Sequence, residues 1–113
     1  MSTEVQELLA ENFDINPKLL PAKTLSEEEQ WQQFRTLLIL RIEELAERNM
    51  EQLMWLLYRV DVNENKLKEE LKKHPQEMFA SVMADAIIER EKQKAETRKK
   101  FSSGGDGNWS FDE

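Results

Sequence analysis

The chain has no cysteine, which excludes a disulfide scaffold and any thiolate metal site and fits a reducing compartment. It has one histidine, His74. No histidine pair is therefore available for zinc, and Leu71 stands where a di-iron bundle would carry the glutamate of a Glu-x-x-His pair. All three glycines follow Lys100, so there is no glycine-rich phosphate loop. The longest apolar runs, Leu37 to Leu40 and Leu53 to Leu57, fall far short of the ~20 residues of a membrane helix. Residues 1–20 carry four acids and no long apolar run, so no secretory leader is expected, and a soluble cytoplasmic protein is.

Acids outnumber bases, 23 to 16, for a formal net charge of −7. The most basic segment is residues 89–101, where Arg90, Lys92, Lys94, Arg98, Lys99 and Lys100 face three glutamates. A negative chain with one short basic segment repels nucleic acid overall, so neither RNA nor DNA is an expected partner.

What is present is helical patterning on the scale of one domain, since 113 residues can bury one modest core. Thr3 and Gln6 have capping-box spacing, and Val5, Leu8 and Leu9 give a short apolar face, which predicts a helix over about Glu4 to Asn12. Pro17 and Pro21 then predict an extended arm, Asp14 to Thr24, whose Ile15, Leu19 and Leu20 pack onto the bundle. Ser26-Glu27-Glu28-Glu29 is a capping box with three acids at the positive end of a helix dipole. From there Trp31, Phe34, Leu38, Ile42, Leu45, Leu53, Leu56 and Val60 follow a period near 3.6, interrupted at Asn49. An unbroken helix over this stretch would be about 50 Å long at 1.5 Å per residue, against a globule roughly 35 Å across. A break is therefore expected at Asn49, which can cap a new helix with Gln52 at its third position.

Asp61 to Asn65 reads as a cluster of turn and cap residues, followed by a short amphipathic helix to about Lys73 that His74-Pro75 ends. The last helix carries Met78, Phe79, Val82, Met83, Ala86 and Ile87. Glu89 to Lys100 has almost no apolar face and is expected to project or fray. Phe101 to Glu113 reads as disordered. The expectation is an all-α protein, a small four- to five-helix bundle. Its organisation is a short helix plus arm at 1–24, a bundle at 25–101 and a tail at 102–113. The expected core is Trp31, Phe34, Leu38, Ile42, Leu45, Leu53, Leu57, Phe79, Val82, Met83 and Ile87.

Two constellations could carry chemistry. Glu43-Glu44-x-x-Glu47 resembles the first half of the carboxylate signature of all-α nucleotide pyrophosphohydrolases of the MazG type. The resemblance implies that acids on neighbouring helices hold magnesium at a nucleotide's phosphates. It covers about five residues, and the Glu-x-x-Asp of the second half is absent: Tyr58 precedes Asp61 and Val82 precedes Asp85 at that spacing. Otherwise Glu44 pairs with Arg48, and Glu47 and Glu51 face water. Asp61-x-Asn63-x-Asn65 has the alternation that opens a calcium loop, but Lys66 and Lys72 stand where the loop needs glycine and a bidentate glutamate.

The apolar surplus points elsewhere. Leu37 to Leu40 with Ile42, and Leu53 to Tyr58, are apolar around most of a helix, more than one small bundle buries. Ile39, Leu40, Trp55 and Leu56 are therefore expected at a protein interface or under the arm. Trp109 and Phe111, two large aromatics after a Gly/Ser spacer, look like an anchor peptide. Its counter-surface would be Arg90 to Lys100. The reading is a non-enzymatic protein-interaction module, a self-associating small adaptor or regulatory subunit whose partners are itself and one other protein. No cofactor is expected. The alternative is the magnesium-dependent hydrolase using Glu43, Glu44 and Glu47.

Overall fold

The computed structural model describes residues 2–103, with side chains described over 4–100. It contains five α-helices and, among the described residues, no strand. The helices are α1 (Ser2–Asn12), α2 (Glu27–Arg48), α3 (Met50–Val60), α4 (Glu64–Lys73) and α5 (Phe79–Ser103), with short 3-10 turns at Pro17–Leu19 and Gln76–Met78. The molecule measures 45 × 36 × 24 Å.

Local chemistry sets these boundaries. The Ser26 hydroxyl accepts the Glu29 amide at 3.2 Å while Glu29 accepts the Ser26 amide at 3.2 Å, so the capping box forms in full. Asn49 ends α2 and begins α3. Its amide donates to the Leu45 carbonyl at 2.7 Å and its side-chain oxygen accepts the Gln52 amide at 3.1 Å. One residue thus satisfies both helix ends, and the chain turns there because its backbone leaves the helical region. Asn63 caps α4 by accepting the Lys66 amide at 3.0 Å, which is the capping role expected of that turn cluster.

Two helices end on an aspartate in the left-handed region. Asp14 after α1 and Asp61 after α3 take φ of 58° and 69°. At each, the following residue's amide reaches back five positions: Ile15 to Ala10 at 2.8 Å and Val62 to Leu57 at 3.3 Å. This is a Schellman closure with aspartate in the left-handed position, which short polar side chains tolerate better than branched ones.

Helices α2 and α5 form the most extensive pair, and α1, α3 and α4 pack around them. Phe34, Leu38, Ile42, Leu45, Leu53, Leu57, Met83 and Ile87 are buried as expected, while Trp31, Phe79 and Val82 lie partly buried at the margin. Trp31 meets Phe34 edge to face, with ring centroids 5.9 Å apart.

Three expectations need correction. The core extends beyond the expected residues into the first helix: Val5, Leu9, Ala10 and Phe13 join the expected Ile15 in it, so α1 completes the bundle. Within the arm, Leu20 packs against the core but Leu19 is exposed, because neighbours in a 3-10 turn point about 120° apart. The stretch from Glu89 onward stays helical to Ser103. It packs through Ile88, Glu91 and Ala95, whose 3- and 4-residue spacing makes one inward line containing a glutamate.

Candidate protein-interaction site

Helix α3 has more apolar side chains than inward positions. At 100° per residue, Leu53, Leu56, Leu57 and Val60 share one side and all four are buried. Met54, Trp55 and Tyr58 then point away from the core and remain 47, 54 and 82% exposed, and Met50, at the first position of the helix and closer in phase to Leu57, is 45% exposed. The four form a contiguous apolar face, because residues three and four apart are neighbours on a helix. The helix's only charges, Glu51 and Arg59, lie one turn either side of Trp55 in the same row, and the Arg59 guanidinium lies 5.3 Å from the centroid of the Trp55 ring.

The face rests on a rigid support. Arg90 of α5 donates to the Asp61 carbonyl at 3.0 Å and to its carboxylate at 3.1 Å. Lys94 donates to the Val60 carbonyl at 3.0 Å and sits 3.1 Å from Glu91. Two cations thus satisfy carbonyls at the negative end of α3. The same device closes α1, where Arg41 donates to the Phe13 carbonyl at 2.7 Å and to Glu44 at 2.7 Å. Arg35 of α2 grips Asp85 of α5 through two bonds of 2.6 and 3.2 Å; the bond to Asp85 raises the arginine's pKa above its ordinary value.

The basic segment is therefore partly committed within the fold. Arg90 and Lys94 hold the end of α3, and Lys92 lies 4.1 Å over the Trp31 ring. This narrows the surface expected to receive the Trp109 and Phe111 peptide, which itself lies outside the described residues. Glu91 is 2% exposed and its second carboxylate oxygen has no hydrogen-bond partner. It shares this with the Gln6 amide nitrogen.

The other expected site residues divide sharply. Leu40 is exposed on α2, Ile39 is half-buried against the core, and Leu56 faces inward and belongs to the core. Met50, Met54 and Tyr58 replace Leu56 on the exposed face. The signal for Met54 and Tyr58 was their phase, away from Leu53, Leu57 and Val60 around the helix, whereas Met50 shares the phase of those three and is exposed at the first position of α3. Glu43, Glu44 and Glu47 are all exposed on α2, and Glu44 pairs with Arg41 rather than with Arg48, because Arg41 is already held in place by the Phe13 carbonyl. Asp61 and Asp85 are bonded to Arg90 and Arg35, so neither is presented to those three acids. Among the described residues no group of three or more histidine, aspartate or glutamate side chains is placed to hold a metal ion.

A groove of about 700 Å³ runs between α4 and α5, with Val62, Leu67, Val82 and Ala86 as its apolar floor and Lys66, Glu70, His74, Asp85 and Glu89 along its walls. Its charged lining has four acids, Asp61, Glu70, Asp85 and Glu89, against Lys66 and Arg90, with Asp61 bonded to Arg90 and Asp85 to Arg35. No helix among the described residues is long and apolar enough to cross a membrane. Compared with protein-family models, with curated proteins and with solved structures, the chain matches none.

Proposed function

We propose that this protein is a small non-enzymatic interaction module, a self-associating adaptor or regulatory subunit working in the cytoplasm, whose binding surface is the outer face of α3. The observation that carries this reading is the exposed set Met50, Met54, Trp55 and Tyr58. Contiguous apolar faces of this kind on small soluble domains mark association sites, and tryptophan, tyrosine and methionine are enriched at the centres of interfaces. The two aromatic rings supply ~150–250 Å² each when fully buried. Methionine adds a flexible, polarisable surface that adapts to a partner.

The capped ends of α3 support the same reading, because a rigid helix loses little conformational freedom on binding. The test is sedimentation of the intact chain and of a Met54→Lys/Tyr58→Lys variant. Both positions are exposed, so the variant should keep its helicity. The parent should sediment above its 13.4 kDa monomer mass at high micromolar concentration and the variant at monomer mass. A parent that stays monomeric throughout that range rejects self-association.

A further inference from the structure

The inference rests on the reading of the α3 face as a binding surface, and it names the occupant and the register. We infer that the α3 faces of two copies of this chain pack antiparallel across a two-fold axis passing near Met54 and Trp55.

The outer face of α3 is self-complementary. Met50, Met54 and Tyr58 form one i, i+4, i+8 row, and Glu51, Trp55 and Arg59 form the row beside it. Each row spans about 12 Å at 1.5 Å per residue, with residue 54 or 55 at its midpoint. Rows of this spacing are the ridges by which two helices interlock. Antiparallel packing about the midpoints sets Met50 beside Tyr58 of the second copy, the two Met54 side chains together, and Glu51 beside Arg59 of the second copy. The two charges at the ends of the Trp55 row, one acid and one base, are then each met by the opposite sign, twice over by symmetry.

Parallel packing has the reverse outcome. It places Glu51 on Glu51 and Arg59 on Arg59, where like charges at an interface repel. It also aligns the two helix dipoles in the same direction, which antiparallel packing avoids. The antiparallel arrangement uses the same patch on both copies, so it closes at two and leaves no apolar end to propagate a filament.

The experiment uses the full chain with two charge reversals, Glu51→Arg and Arg59→Glu, each verified as folded by circular dichroism. In antiparallel register each single variant opposes like charges at both symmetric contacts, and its association constant should fall at least tenfold. An equimolar mixture of the two variants restores both pairs, so heterodimers should form at close to the parent's affinity. Single variants that associate as tightly as the parent would overturn the register while leaving the α3 surface in place. A parent chain that is monomeric at every concentration would overturn the surface itself.

Discussion

Asp14 and Asp61 do the work that glycine does in most helix terminations. Each sits in the left-handed region, and each has an arginine from a neighbouring helix on an adjacent carbonyl, Arg41 on Phe13 and Arg90 on Asp61 itself. The two positions differ in what the carboxylate contributes. Asp61 bonds Arg90 at 3.1 Å, whereas Asp14 lies 3.9 Å from Arg41 with its side chain 91% exposed, a separation at which a surface pair is worth little. Asp14→Gly should therefore stabilise the protein by about 0.5–1 kcal/mol, the left-handed penalty less the extra entropy glycine brings to the unfolded chain. Asp61→Gly loses its ion pair and should gain less. Thermal unfolding of both variants decides the point, and an Asp14→Gly variant less stable than the parent would show that the carboxylate matters more than the backbone.

At the level of helices, the clearest structural revision concerns α1. Leu9 is fully buried and Phe13 nearly so, so Leu9→Ala should cost about 2–5 kcal/mol through loss of contacts and the cavity left behind. Urea unfolding showing a loss below ~0.5 kcal/mol, the level of an ordinary surface substitution, would mean that α1 is a dispensable appendage. The sequence made the capping box at Ser26, the break at Asn49 and the turn at Asp61 to Asn63 legible, because each depends on a side chain bonding its own neighbours. It obscured α1, because an acidic helix with one short apolar face followed by two prolines looks local, and its burial depends on α2 and α5 lying across it. The inward line of α5 was hidden for a related reason. Glu91 occupies a core position that hydrophobic periodicity does not register, and its pairing with Lys94 is a property of the packed helix. The exposed face of α3 was half visible: Trp55 is exposed as the apolar surplus suggested, as is Leu40 on α2, while Leu56, expected at an interface or under the arm, lies on the core side of a helix that is apolar nearly all round.

The described molecule is a bundle whose helices are tied to one another by polar contacts, and four of its seven exposed large apolar side chains lie on one short helix, the others being Leu19, Leu40 and Met78. Arg35–Asp85 ties α2 to α5, Arg90 and Lys94 tie α5 to the end of α3, and these contacts keep Met50, Met54, Trp55 and Tyr58 on a fixed platform. The central claim, that this platform is where the protein binds, can be read from its methionine methyl groups. Of the five methionines, Met50 and Met54 lie on the face, Met78 is exposed elsewhere and Met83 is buried, so the last two serve as internal controls. The methyl resonances of the intact chain, followed by NMR on dilution from millimolar to low micromolar concentration, should shift at Met50 and Met54 and stay fixed at Met78 and Met83. Resonances of Met50 and Met54 that do not move while the protein dissociates would contradict the account.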